Sequence, residues 1–394
     1  SEYIEEFAIR MKFYPRVNNL VGYTISMGSS NPTLVDLFAG CGGLGLGFHQ
    51  AGFETILANE LHPDPATTYR ENLLKKHPER MKVGSISEVL SDKVLEEFRL
   101  LENQITCLAG GPPCQGFSMA GRGIADDPRN HLYREYIRVV AKLSPKSVVF
   151  ENVPGFANRY GLELKKDLEE KLDKLGYKTV SGVLSAMDYG VPQLRKRFIC
   201  IGVKKEILNG RSLNLPSATW SSMQIQNQLS TKQVIGDLDV YRLRGGYGSG
   251  EEFGPDKYLK PARTAFQREM RTNTGMTSKD STWNTLIPNH TKRVQKRMKA
   301  YLSGETRQSL IGTSLETKKH SQRVLIKNSP PKITVVSLPD DYIHYNLDMP
   351  RTLSVRECAR LQTFPDDFKF YGKRTTGGIR RRIDVPQYTQ VGNA

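Results

Sequence analysis

Long apolar runs are what this sequence most plainly lacks. None of its 394 residues lies in a stretch approaching the ~18 residues of a membrane span, so no membrane partner is expected. The opening residues, Ser1-Glu2-Tyr3-Ile4-Glu5-Glu6, are acidic and carry no apolar signal core, which excludes a secretion signal there. Cysteine is scarce as well. The five present, Cys41, Cys107, Cys114, Cys200 and Cys358, are scattered, odd in number and without metal-ligand spacing. Neither a disulfide frame nor a metal site is expected, and the chain reads as one of a reducing, cytoplasmic compartment. Acidic residues are in deficit, 41 against 57 Lys and Arg, for a net charge of +16. That excess favours a polyanionic partner, nucleic acid before membrane surface.

What is present is patterned. The length allows a large core and two or three domains. Apolar runs at Thr33–Phe38, Thr55–Asn59, Ile105–Ala109 and Ser147–Phe150 read as strands. They alternate with helical patterns ending near Ala51, then at Pro65–Lys76, Ser87–Leu101 and Leu132–Leu143. Such alternation argues an α/β fold with a doubly wound sheet. After a helix at about Leu162–Leu175, two extended runs, Lys178–Ser185 and Phe198–Val203, would add an antiparallel hairpin and make the sheet mixed. From about Lys204 the alternation is lost. The expected division is an N-terminal extension (1–30), a sheet-bearing domain (31–204), a smaller second domain (205–346) and a return to the first (347–394). Within the later part, Gly245–Gly250 reads as a loop, Arg293–Tyr301 as a basic helix, and Leu353–Phe364 as an amphipathic helix with a Ser354/Glu357 capping box.

Four blocks carry chemistry. Gly40-Cys41-Gly42-Gly43-Leu44-Gly45 has the spacing G-x-G-x-x-G between a strand and a helix. Glu60 stands at the tip of the next strand, where a ribose-binding acid belongs. This pair suits a dinucleotide or S-adenosylmethionine equally. Gly110-Gly111-Pro112-Pro113-Cys114-Gln115-Gly116-Phe117-Ser118 sets a cysteine in a stiff turn at the carboxyl end of a strand. Glu151-Asn152-Val153 follows another strand, beside the first if the two are neighbours, and its carboxyl could share a proton with a base edge. Gln193, Arg195 and Arg197, two apart at the mouth of a strand, are expected on one face.

In this order, with Arg356-Glu357-Cys358-Ala359-Arg360-Leu361-Gln362 and Gln390-Val391-Gly392-Asn393-Ala394 after them, the blocks resemble the cytosine-5 DNA methyltransferases of the prokaryotic restriction-modification type. The resemblance covers about residues 33–203 and 350–394. It implies a Rossmann-like methyltransferase fold whose second domain recognises DNA, S-adenosylmethionine as cofactor, and no metal. Cys114 would be the nucleophile that adds to C6 of a flipped-out cytosine. Glu151 would meet the ring nitrogen and amino group, and Arg195 would contact the base, with Asn152, Gln193 and Arg197 completing the catalytic set. The cofactor site would comprise Phe38 against the adenine, Glu60 on the ribose, the loop Ala39, Gly40, Cys41, Gly42 and Gly43, then Leu61, Ser85, Ile86, Pro112, Asn393 and Ala394. DNA contacts are expected from Gln115, Ser118, Gly121 and Arg122 in a loop able to close over the duplex, and from Asn289, His290 and Arg293. The partner implied is duplex DNA, bound by a monomer, with a restriction endonuclease acting separately.

Two departures stand out. Ser85 occupies the place where the family usually has an aspartate for the adenine amino group. The family also continues past Asn-Ala into a helix. Either that helix lies outside this sequence or another segment, such as residues 3–13, takes its place. Two competing readings are a tRNA methyltransferase on the same scaffold and a catalytically dead DNA-binding protein. The long variable region, Lys204–Pro350, and the lack of a Cys-Phe-Thr tripeptide oppose the first. Intact Cys114, Glu151 and glycine loop oppose the second.

Overall fold

In the computed structural model of the chain, the described residues are 31–101, 105–113, 131–158, 162–218, 228–238, 256–271, 281–288, 290–317, 323–337, 342–376 and 383–394. They fall into two compact units, one within Ser1–Gly190 and Lys196–Ser221, the other within Val191–Arg195 and Ser222–Ala394.

A seven-stranded sheet organises the first unit. Its strands are β1 (Thr33–Leu37), β2 (Glu54–Glu60), β3 (Met81–Val83), β4 (Cys107–Gly110), β5 (Ser147–Asn152), β6 (Tyr177–Ser185) and β7 (Lys196–Lys204). Their order is β3-β2-β1-β4-β5-β7-β6. The first five pair in parallel, and β7 runs antiparallel to both β5 and β6. The sheet is therefore doubly wound and mixed, as the alternation of elements implied.

The strands read as unbroken apolar runs because both faces are covered. Period two divides them: Val35, Leu37, Leu108, Val148, Phe150, Phe198 and Cys200 enter one cluster, packed by Leu95, Tyr136 and Leu168. The alternate residues Leu34, Cys107, Ala109, Val149 and Ile201 enter another with Phe48 and Phe53. Helices Pro63–Leu73 and His131–Leu143 lie close to their expected bounds. The helix expected over Ser87–Leu101 is instead two, Ile86–Val89 and Asp92–Leu101. Strand β3 has only three residues, too short for a periodic signal.

The second unit has two strand pairs, β8 (Asp256–Lys257) with β9 (Ser281–Thr282), and β10 (Arg323–Val324) with β11 (Tyr342–Ile343). Its helices among the described residues are short: Thr231–Ile235, Ala265–Arg271, Lys292–Leu302, Val355–Leu361 and Gln387–Asn393. Buried ionic and backbone contacts hold the unit together. Arg360, fully buried, reaches Asp237 Oδ1 at 3.0 Å and Asp366 Oδ2 at 2.5 Å, and Arg271 adds a second cation to Asp237 at 2.7 Å. Arg356 donates to the carbonyls of Trp283 and Pro365, at 2.9 and 2.8 Å. Arg351 grips Glu357 with two bonds of 2.7 Å, and Ser354 and Glu357 form the expected capping box.

By their contacts, residues 347–394 group with the second unit, where Arg356 bonds Trp283, Asn284 and Pro365 and Arg360 bonds Val234, Asp237 and Asp366. The boundary also falls earlier, between Gly190 and Val191, and a piece of the chain up to Ser221 stays with the sheet.

Removing one partner of such a network strands a buried charge. Arg360→Ala deprives Asp237 and Asp366 of their shared cation and should lower the unfolding free energy by about 3–5 kcal/mol in urea titration. A loss below about 1 kcal/mol, the range of exposed pairs, would contradict this role.

Candidate active site

Register places the site. Leu37 at the end of β1 stands opposite Gly110 at the end of β4, and Gly110 opposite Phe150 in β5. The glycine loop, the Gly-Pro-Pro turn and Glu151 thus leave the carboxyl ends of three adjacent parallel strands. Between β1 and β4 the strand order reverses, the usual place for a ligand in an open α/β sheet.

The glycine loop is tightly wound. Phe38, Gly40 and Gly42 have φ of 54°, 56° and 99°. The Ala39 amide donates to the Asn59 carbonyl at 2.9 Å, fixing the loop to the end of β2. At Gly40 a Cβ would meet nothing within 4 Å, so the loop presents bare backbone to open space; at Gly45 it would strike Asp36 Oδ2 and the Tyr69 hydroxyl, both at 2.6 Å. Glu60 is tied down at both oxygens: the Gly40 amide donates to Oε2 and the His62 amide to Oε1, each at 2.9 Å. Burial raises its pKa against the pull of those two amides. Bare backbone, a loop-end carboxylate and the exposed Leu61 beside it make a cradle fitted to a nucleoside with a charged tail.

Ser85 opens the helix Ile86–Val89 without capping it; its hydroxyl lies 3.0 Å from that of Ser87, while Ile86 is buried. Pro112 is buried, and its carbonyl accepts from Asn152 Nδ2 at 3.0 Å. Asn152 Oδ1 accepts from the Val153 amide at 2.9 Å. Asn152 therefore braces the Gly-Pro-Pro turn against the end of β5. At Gly111 a Cβ would lie 2.8 Å from Glu151 Oε2, so a larger residue there would displace that carboxyl. Glu151 Oε1 receives Arg197 Nε at 2.8 Å.

The two arginines of the Gln-x-Arg-x-Arg block part company, contrary to the single face expected. Strand β7 begins only at Lys196, so period two does not extend back to Gln193 and Arg195. Arg197 pairs with Glu151 in the first unit. Arg195 belongs to the second, where it is buried and donates to the carbonyls of Val335, Gly392 and Asn393 at 3.3–3.4 Å. The arginine paired with Glu151 is Arg197. Gln193 likewise serves the second unit, bonding Gln362 and the Val335 amide at 3.0 and 3.1 Å.

Asn393 is exposed there and accepts from Ser337 Oγ at 3.0 Å; the Ala394 amide donates to Gln390 at 3.2 Å. His290, expected at base edges, is buried 3.1 Å from the Thr352 hydroxyl. Arg293 is exposed, with Nε on the Ser314 carbonyl at 2.7 Å. Cys114, Gln115, Ser118, Gly121, Arg122, Asn289, the loop Gly245–Gly250 and residues 3–13 lie outside the described residues. Cys41, Cys107, Cys200 and Cys358 are all buried, and burial pushes Cys107 and Cys200 up to about 12.

One site-bearing group was not singled out from sequence. Asp36, fully buried in β1, accepts from the Tyr69 hydroxyl at 3.0 Å, and Tyr69 lies 3.2 Å from Thr55 Oγ1. Its Oδ1 has no hydrogen-bond partner among the described residues. Burial lifts its pKa from 3.8 to about 7, with Tyr69 opposing and Glu60 adding to the rise. A carboxylate within an apolar strand was the available signal; nothing in the helix Pro63–Leu73 marked Tyr69.

Because the folded chain holds this proton more tightly than an unfolded one, stability from Asp36 falls as pH rises from about 4 to 7. Relative to Asp36→Asn, which cannot titrate, the wild type should lose on the order of a few kcal/mol across that window in urea unfolding at graded pH. A difference that stays flat from pH 4 to 7 would contradict the assignment.

Comparisons with known proteins point one way. The family described as C-5 cytosine-specific DNA methylase matches residues 33–394. The Type II methyltransferase M.DdeI of Desulfomicrobium norvegicum is 33% identical over 381 residues, covering 92% of this chain and 85% of that protein. M1.HphI of Haemophilus parahaemolyticus is 32% identical over 365 residues, with coverage of 92% and 82%. A crystal structure described as a prophage-encoded DNA modification methyltransferase of E. coli superposes with a TM-score of 0.68 at 26% identity, over 92% of this chain and 94% of that one.

Proposed function

The chain belongs to the C-5 cytosine-specific DNA methylases, and on that premise we propose how its residues divide the work of methylating cytosine in DNA. It is an enzyme that modifies cytosine at C5 in a specific DNA sequence, as its Type II relatives imply, with S-adenosylmethionine as methyl donor. The observation that carries the assignment of roles is the Glu151–Arg197 pair, set against Gly111, three residues before Cys114 in sequence.

The C5 carbon of cytosine is a poor nucleophile, and neither C5 nor C6 can be approached face-on within a duplex, so the base is flipped out. The Cys114 thiolate forms a bond to C6, and the electron pair displaced from the C5–C6 double bond makes C5 nucleophilic. Glu151 meets the N3 and amino edge and stabilises the charge that develops there. Arg197 pairs with Oε1 of that carboxyl at 2.8 Å and restrains it there. When bound, the cofactor supplies a methyl group activated by a sulfonium. Phe38, Glu60 and the loop Ala39–Gly43 would hold it, with Leu61, Ser85, Ile86 and Pro112 completing the set. Once C5 carries the methyl group, a base removes the C5 proton, the double bond re-forms and the sulfur leaves C6.

Specificity for the DNA sequence belongs to the second unit, whose polar and basic residues suit base edges and phosphates. The naming of the relatives as Type II methyltransferases supports a separate restriction endonuclease as the cellular partner.

Fluorine at C5 cannot leave as a cation, so the last elimination has no route. Duplex DNA carrying 5-fluorocytosine at the target should therefore trap the protein, only with S-adenosylmethionine present, in an adduct that survives denaturing electrophoresis and maps to Cys114. Cys114→Ala should give neither adduct nor methylation and still bind DNA. An adduct in that variant, or none in the wild type at a confirmed target, would overturn the assignment.

A further inference from the structure

The helix Lys292–Leu302 of the second unit carries Lys292, Arg293, Lys296, Arg297 and Lys299 and no acidic residue. At 3.6 residues per turn, Lys292, Lys296 and Lys299 fall within one stripe about 60° wide. All three are exposed. The opposite face is occupied: Val294, Met298 and Tyr301 pack with Leu310 and Ile343. The lysine stripe thus points directly away from the core that holds the helix.

A helix face that merely meets water gains from mixed charges, about 0.2–0.5 kcal/mol for each acid–base pair four residues apart. Here Lys292 and Lys296 are like charges at that spacing and repel. Lys292 also stands in the first turn, where the helix dipole disfavours a cation. Among the described residues none of the three lysines makes a salt bridge, whereas Arg271, Arg351 and Arg360 of the same unit are all committed to carboxylates. Lys299, in the last turn, suits the dipole, but the stripe as a whole has no carboxylate partner inside the unit among the described residues. Its charge is complementary to a polyanion.

We propose that this stripe tracks the phosphates of duplex DNA, holding the backbone without regard to sequence while other residues of the unit read the bases. The inference rests on the DNA-methylating function given above. From Lys292 to Lys299 the helix advances about 10 Å at 1.5 Å per residue. That matches about three phosphate steps of one strand at 3.4 Å of axis each. Lysine suits the task, since a compact charge on a flexible stem needs no fixed geometry at the phosphate. Arg293 is set apart from the stripe by its bond to the Ser314 carbonyl.

The test is the salt dependence of binding. Each phosphate neutralised adds about 0.9 to the slope of log affinity against log salt. The triple variant Lys292→Gln/Lys296→Gln/Lys299→Gln should lose about 2.7 from that slope. It should bind target and non-target duplexes more weakly by a common factor, on the order of 10²-fold at 0.1 M salt. The rate at saturating DNA and the methylated sequence should stay as in the wild type, which keeps the activity itself separate from this inference. The triple Lys→Arg variant should retain the slope, guarding against a fault of folding. An unchanged slope in the Gln variant, a loss confined to the target duplex, or a loss seen with RNA and not with duplex DNA would each overturn the proposal.

Discussion

The alignment of β1 with β4 is the constraint on which the site depends. Parallel pairing with Leu37 opposite Gly110 delivers the glycine loop and the Gly-Pro-Pro turn to the same edge of the sheet, one strand apart. With Phe150 opposite Gly110, the next residue of β5, Glu151, comes to that edge too. A slip of one residue would turn every side chain of a strand to the other face and exchange the two apolar clusters. Core and site are therefore fixed by one register. Burial of the alternating residues stabilises it, and the chemistry follows at the strand ends.

Polar groups at that edge are placed by their neighbours. Glu60 is positioned by two backbone amides, Asn152 by the Pro112 carbonyl and the Val153 amide, and Glu151 by Arg197. Gly45 and Gly111 matter for what they omit, since a Cβ at either would collide with a carboxylate. The second unit uses polar contacts for a different end. Beside its buried apolar residues, Arg356 and Arg360 join its short elements through carbonyls and carboxylates.

This difference explains what could be read from the sequence. The parallel strands were legible as apolar runs, and helices such as His131–Leu143 by their period. The placement of Glu60 and Glu151 at strand tips followed from those runs. Ser354 and Glu357 announced their capping box because its partners are three residues apart. Arg360 gave no such sign: its bond to Asp237 joins residues 123 apart, and no local period records it. The same holds for Arg195, whose partners Val335 and Gly392 lie 140 and 197 residues away. Spacing alone placed it beside Arg197, and the start of β7 at Lys196 undid that placement. The Asp36–Tyr69 bond, between a strand and a helix, was invisible for the same reason.

The central claim is that Arg197 serves methyl transfer through Glu151, by its ion pair to that carboxyl. A double-mutant cycle read by single-turnover transfer of labelled methyl groups to target DNA addresses it directly. Glu151→Gln and Arg197→Gln should each slow the transfer, and Arg197→Gln should cost little more once Glu151 is already Gln, leaving a coupling of about 1–3 kcal/mol. Additive losses, with no coupling between the two positions, would contradict the account.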